Sequence, residues 1–282
     1  YNAFVQVLHK NESMDANKIN FGIRSIKFTS EKGFQLNGKT IKLNGGCVHH
    51  DNGCLGAAAF DRAEERKVKN LKAAGFNAIR TAHNPPSIAF LNACDKLGML
   101  VMDEAFDGWK ANKNPYDYSM YFEEWSKRDM ETLVLRDRNH PSVIMWSIGN
   151  EIIERKSPEA LEIAKKLISY IKKYDTTRPV TSGMTTWDKD WEIFDPLMAA
   201  HDVAGYNYQI HESYSKEAFN NWKLVHNADY LIGDFVWTAH DYLGESGIGR
   251  WYYSGEATAG HNNPELFPWH GAYCGDVDLI GQ

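Results

Sequence analysis

The chain is short of cysteine, of basic charge and of long apolar runs, and each shortage removes a class of function. Four cysteines in 282 residues (Cys47, Cys54, Cys94 and Cys274) show no Cys-x-x-Cys spacing. A thiolate metal site or a redox motif is therefore not expected, and buried free thiols are. Lys and Arg number 31 against 37 Asp and Glu, a net charge of −6 that suits neither nucleic acid nor an anionic membrane as partner. No apolar run reaches the ~20 residues of a spanning helix, and no signal peptide opens the chain, which starts in mid-pattern at Tyr1-Asn-Ala-Phe4. No glycine-rich phosphate loop follows an apolar strand, which argues against a nucleotide-binding α/β fold. The compartment stays open.

Apolar and aromatic residues, by contrast, are plentiful. Hydrophobic residues make up 43% of the chain and aromatic ones 13%, enough for a barrel-sized core plus a fragment of another domain. Ring faces that stack on sugars are one use for so many aromatics, and filling a large core is another.

Residues 1 to about 40 alternate apolar and polar, in Phe4-Val-Gln-Val-Leu8 and again in Ile23-Arg-Ser-Ile-Lys-Phe28. A hairpin is expected at Asn37-Gly38, between Phe34-Gln-Leu36 and Thr40-Ile-Lys-Leu43, because Asn-Gly suits a type I′ turn. This reads as the last strands of a β-sandwich. From residue 41 the rhythm becomes strand then helix. Strands are expected at 41–50, 76–82, 99–105, 143–151, 179–183, 203–208 and 230–238. Helices are expected at 62–74, 87–97, 121–138, 157–174 and 215–227. Repeated βα units mean a parallel sheet, and polar or aromatic residues at nearly every strand's C-terminal tip favour a (β/α)8 TIM barrel over an open sheet. Residues 41–282 are assigned to that barrel, which reads as incomplete around 209–212 and after 282. Only Gln209-Ile-His separates strand six from Glu212, where a helix and most of strand seven should stand.

Val143-Ile-Met-Trp-Ser-Ile-Gly-Asn-Glu151 is the most informative stretch: a buried strand that ends in a carboxylate. Such a group must be hydrogen-bonded, paired or partly neutralised, and the last condition is what a general acid needs. Other strand tips supply His49, His50 and Asp51; Arg80, His83 and Asn84; Asn150; Asn207 and Tyr208; and Trp237, with Glu212 in the short seventh stretch. In a barrel these tips meet at one mouth. Two carboxylates facing each other there suit glycoside hydrolysis, with carboxyls roughly 5–5.5 Å apart if configuration is retained. His49 and His50 are adjacent on a strand and point to opposite faces, so they do not form a metal pair.

Five segments together resemble the glycoside hydrolase family 2 enzymes: Gly22-Ile-Arg24, Asn44-Gly-Gly-Cys-Val-His-His50, Phe76-Asn-Ala-Ile-Arg-Thr-Ala-His-Asn84, Trp146-Ser-Ile-Gly-Asn-Glu151 and Asp234-Phe-Val-Trp-Thr238. That family holds β-galactosidases, β-glucuronidases and β-mannosidases. The resemblance implies that residues 1–40 end an immunoglobulin-like domain, and that no cofactor takes part. It implies Glu151 as general acid/base and Glu212 as nucleophile. It also implies Asn150 on the sugar's 2-hydroxyl, His50 and His83 lining the sugar subsite, Arg80 supporting the nucleophile, Tyr208 touching it, and Trp237 as the aromatic floor. Glu217 reads as an exposed helix residue and Glu245 as a loop contact.

Two departures from the family pattern matter. Some members bind magnesium through a Glu and a His shortly after strand three; Gly108 and Lys110 stand near those positions, so that site is not expected. The asparagine–lysine signature by which glucuronidases grip a carboxylate is also not visible, since Asn112-Lys113-Asn114 follows strand three. The expected activity is that of a retaining exo-β-glycosidase, for which a neutral β-galactoside is favoured over a β-glucuronide or β-mannoside. A carbohydrate-binding fragment without turnover is the competing reading, and a homo-oligomer is compatible with either. A metal-dependent amidohydrolase barrel would need a His-x-His pair on strand one, which His49-His50 does not supply.

Overall fold

The computed structural model describes residues 1–29, 31–52, 55–184, 196–203, 205–207 and 236–240; Tyr206 and residues 236–240 are described by their backbone alone. Two antiparallel strands come first, β1 (Asn2–His9) and β2 (Glu12–Asn20), joined through Lys10 and Asn11 with φ of 50° and 66°. The sequence pattern does not announce β2, because Glu12-Ser-Met-Asp-Ala-Asn-Lys-Ile-Asn20 is almost wholly polar. Both strands are exposed along nearly their entire length.

A three-stranded meander follows: β3 (Ile26–Thr29), β4 (Gly33–Leu36) and β5 (Lys39–Thr40). Its second turn is the expected Asn37-Gly38, with φ of 51° and 78° as a type I′ turn requires. Phe34 of β4 is buried against Met102, Ile144, Met145 and Val203, with Phe28, Leu36 and Leu43 packed around them. Below that contact two arginines reach the start of the fourth barrel strand. Arg24 donates to the carbonyls of Pro141 and Val143, and Arg178 Nε donates to Val143 O at 2.6 Å. Burial, then the charge of Arg178, pulls Arg24 down to about 10. Gly22 is needed here because any side chain would run into the Pro141 ring.

The barrel strands are β6 (Gly45–His49), β7 (Ala78–Ala82), β8 (Leu100–Glu104), β9 (Val143–Asn150), β10 (Val180–Met184), β11 (Gly205–Tyr206) and β12 (Val236–His240). They form one sheet in the order β11-β10-β9-β8-β7-β6-β12, with every neighbouring pair parallel. β12 therefore returns to β6, as the last strand of a barrel does beside the first. The expected first and sixth strands are shortened to β6 and β11, and the part of the expected eighth strand before Val236 lies outside the described residues.

Among the described residues the longer helices pack outside: α1 (Asp61–Ala73), α2 (Ile88–Leu97), α3 (Ser119–Asp137) and α4 (Pro158–Lys172). Each agrees with its expected range to within about two residues, as end fraying allows. Ser87 caps α2 by accepting from Phe90 N at 3.1 Å, and Gly98 closes it at φ 69°. The larger core cluster fills the space between the sheet and these helices, through Val68, Leu71, Leu91, Leu133 and Leu167. β9 is buried at all eight positions, which explains its nearly continuous apolar run. The expected helix at 215–227 lies outside the described residues.

Candidate active site

Parallel strands put their C-terminal tips at one end, so the sequence-predicted side chains gather there. Arg80, on β7, is 2% exposed and sits at the centre. Its Nε donates to Glu104 Oε2 at 2.8 Å; one terminal nitrogen donates to Glu104 Oε1 (3.2 Å) and Asn150 Oδ1 (2.7 Å). The other donates to Asn207 Oδ1 (2.9 Å) and Cys47 Sγ (3.8 Å). All five guanidinium protons are thus engaged, and the plane of Arg80 is fixed by three other strands and the residue after a fourth. Gly183 makes room for it: a Cβ there would stand 2.8 Å from the guanidinium carbon.

Glu104, at the tip of β8, is fully buried. Besides Arg80 it meets His83 Nδ1 at 2.6 Å and accepts from Ser147 Oγ at 2.5 Å. Burial would push its carboxyl up, but Arg80 and His83 outweigh burial and hold it below the usual range. Facing an ionised carboxylate, His83 Nδ1 carries a proton. The His49 and His83 rings meet edge to face at 5.4 Å.

Asn150 ends β9 and Glu151 follows it at φ 44°, a left-handed conformation that costs a glutamate free energy. The Glu151 amide donates to Gly183 O at 2.6 Å. Asn207 Nδ2 donates both to Asn150 Oδ1 and to Glu151 Oε1, each at 2.8 Å. Asn150 Nδ2 in turn donates to Asp107 Oδ1 at 3.0 Å. Since Arg80 only donates and the Asp107 carboxylate only accepts, the Asn150 amide has one orientation. Trp109 Nε1 bonds Ile148 O at 2.7 Å and packs where a side chain at Gly149 would be.

Arg80, His83, Asn150, Asn207 and Glu151 are thus one hydrogen-bonded cluster. His50 is apart from it: its side chain is 47% exposed and its Nε2 lies 3.4 Å from Asp51 Oδ1. His49, His50, Asn84, Glu64, Lys67 and Arg136 help line a separate cavity of about 300 Å³ behind β6 and β7. Tyr208 and Glu212 lie outside the described residues, as do Glu217 and Glu245; Trp237 lies on β12, whose side chains are not described.

Glu104, Asp107, Lys113 and Cys47 escaped the sequence reading. The same argument that singles out Glu151, a carboxylate at the tip of an apolar strand, applies to Glu104 at the end of Leu100-Val-Met-Asp-Glu104. Register confirms which acid faces in: Arg80 pairs with Met102, so Glu104, two residues on, shares their inward face and Asp103 does not. As for metal, Gly108 offers no ligand and Lys110 Nζ pairs with Glu159 (2.8 Å) and Glu123 (3.3 Å). These two positions do not fit a divalent cation. Among the described residues no group of three or more His, Cys, Asp or Glu is placed to hold one.

Comparison with known proteins agrees with this geometry. The β-galactosidase BoGH2A of Bacteroides ovatus is 34% identical over 373 positions, covering all of this chain and 42% of that protein. A β-glucuronidase of Bacteroides fragilis is 34% identical over 62% of this chain and 26% of its own length. The crystal structure of a glycosyl hydrolase family 2 member from Bacteroides cellulosilyticus superposes with a TM-score of 0.81 at 49% identity, covering 99% of this chain and 37% of that one. The chain thus spans less than half the length of these relatives. The model for the TIM barrel domain of the family 2 glycosyl hydrolases matches residues 26–249, most of the chain. With a parallel barrel, its polar cluster at the strand tips and that match together, this chain belongs to glycosyl hydrolase family 2.

Proposed function

We propose that this chain carries the catalytic barrel of a retaining exo-β-glycosidase that removes terminal β-D-galactosyl groups, with residues 1–40 closing an immunoglobulin-like sandwich before it. The observation that carries the reading is the Glu151 carboxyl, held at the tip of β9 by Asn207 and backed by Asn150 and Arg80. Glu151 protonates the glycosidic oxygen as it leaves, while Glu212 attacks the anomeric carbon and forms a glycosyl-enzyme. Glu151, now a carboxylate, then takes a proton from the water that releases the sugar. Asn150 and His83 hold the sugar from strands four and two, Tyr208 and Trp237 line the rest of the pocket, and Arg80 supports Glu212; His50, which stands apart from the cluster, reaches the sugar only from the rim.

Two observations favour a neutral sugar. BoGH2A, which aligns over the whole chain, is named a β-galactosidase. Lys113, which bonds the cluster at Asn150, spends its ammonium protons on Asp107 Oδ1, Asp107 O and Asn150 O, so it is not free to grip a uronate. A β-glucuronidase is the second reading, because the Bacteroides fragilis relative carries that name.

The test is incubation with a 2-deoxy-2-fluoro-β-galactoside bearing a good leaving group, followed by peptide mass spectrometry. The fluorine slows release of the sugar more than its capture, so the nucleophile stays labelled. A galactosyl adduct on Glu212 is the expected result. Labelling only by the corresponding glucuronide would transfer the reading to a β-glucuronidase, and an adduct on another carboxylate would remove Glu212 from its role.

A further inference from the structure

The peptide unit that joins Asn150 to Glu151 is held at both ends. Its N–H donates to Gly183 O at 2.6 Å, and its carbonyl accepts from Lys113 Nζ at 2.7 Å. Lys113 is itself fixed by Asp107, through the carboxylate and the backbone carbonyl, both at 2.8 Å. Asp107 then reaches back to the Asn150 side chain at 3.0 Å. The loop that carries Lys113 is also anchored, since Asp117 Oδ2 accepts from the amides of Lys113 (2.7 Å) and Asn114 (3.0 Å). Lys113 is mostly covered, with 16% of its side chain exposed.

This clamp bears on a strained residue. Rotation of the 150–151 peptide plane changes φ of Glu151, and the left-handed value of 44° is one that a glutamate leaves when nothing holds it. The direction of the Glu151 side chain follows from that φ. We propose that Lys113 and Asp107 are positioning residues, which lock the Asn150–Glu151 peptide plane and so aim the Glu151 carboxyl at the leaving oxygen. The inference rests on Glu151 being the acid/base of the proposed reaction. An ammonium suits such a clamp because it is a compact cation with three donors, and here it closes a ring through Asp107, Asn150 and back to itself. Among the described residues the second N–H of Asn150 Nδ2 has no partner, so the same clamp leaves one donor of Asn150 for the sugar.

Lys113→Met, Lys113→Arg and Asp107→Asn are compared with Glu151→Gln on two substrates, methyl β-galactoside and 2,4-dinitrophenyl β-galactoside. The first aglycone needs a proton to leave and the second does not. General acid assistance is worth about a hundredfold or more, so a misaimed acid costs on the order of tenfold to a hundredfold on the methyl glycoside alone. Lys113→Met is expected to lose that much kcat/KM on the methyl glycoside and little on the dinitrophenyl one. Lys113→Arg should recover part of the loss, and Asp107→Asn should show the same asymmetry in smaller degree. If Lys113→Met does not fold, Asp107→Asn carries the test. Equal losses on both substrates, or none, in the clamp variants while Glu151→Gln remains selective would overturn the clamp. If Glu151→Gln itself shows no selectivity, the acid/base assignment has failed and the clamp falls with it.

Discussion

Asp103 and Glu104 are adjacent acids with opposite fates. The pleat turns Glu104 inward to Arg80 and His83, which keep it ionised, and turns Asp103 outward to Asp137 under α3. Burial, then the charge of Asp137, pushes the Asp103 carboxyl well above its usual range; Arg136 and Arg178 oppose this without reversing it. A proton on Asp103 lets it donate to Asp137, whose oxygens otherwise accept from Arg136 at 2.6 Å. Because the folded pKa lies above the unfolded one, the stability from this proton is complete below the unfolded pKa and is lost as pH rises through the folded one. Asp103→Asn keeps a donor there at every pH. Its melting temperature should therefore gain on the parent as pH rises, by a few degrees between about pH 5 and about pH 8. A melting curve at each pH checks this, and a constant difference would exclude proton sharing. At this scale the sequence showed Arg80, His83, Asn150 and Glu151, which the structure joins in one hydrogen-bonded cluster. It did not single out Glu104, although its place at the tip of an apolar strand was readable, nor Asp107 and Lys113, which act on other side chains from a loop whose geometry no local spacing encodes.

Among the elements, the meander β3–β5 is tied most closely to the barrel's lower end. Phe34 is 4% exposed and fills the barrel from below, against Met102 and Met145, two residues on the strands that carry Glu104 and Asn150. Truncating it leaves a cavity that the surrounding strands cannot fully close. Phe34→Ala is expected to cost about 3–5 kcal/mol in denaturant unfolding. A loss below about 1 kcal/mol would mean that the meander docks loosely, since surface substitutions fall in that range. The Asn37-Gly38 turn of this meander was legible because only residues that tolerate positive φ fit there. The strand–helix rhythm from β6 to β10 was legible for another reason: buried parallel strands need apolar runs, and between β7 and β8 Ser87 and Gly98 mark both ends of α2. β2 was not legible, since an exposed strand lacks the alternation that burial imposes.

For the molecule as a whole, burial divides the chain unevenly. β7, β8 and β9 are buried at all but one position, whereas β1 and β2 show Phe4, Val7 and Leu8 with more than half of their surface in water. Hydrogen exchange followed by mass spectrometry should therefore report the slowest amides in peptides from β7 to β9 and much faster exchange, by about a hundredfold or more, in β1 and β2. Equal protection would show that a partner surface covers the first hairpin. The alignment with BoGH2A runs over 373 positions against a chain of 282 residues, so that relative carries residues inside the matched span that have no counterpart here.

The left-handed backbone at Glu151 bears on how the site can be taken apart. A residue held at φ 44° gains conformational ease when it becomes glycine, so Glu151→Gly removes the carboxyl and its hydrogen bond from Asn207 while relieving the backbone. Truncating a packed side chain usually also loosens the scaffold, and a lost role is then hard to separate from lost shape. Here the two come apart, and the vacated space beside Asn207 becomes a place where an added small acid could stand in for the missing side chain.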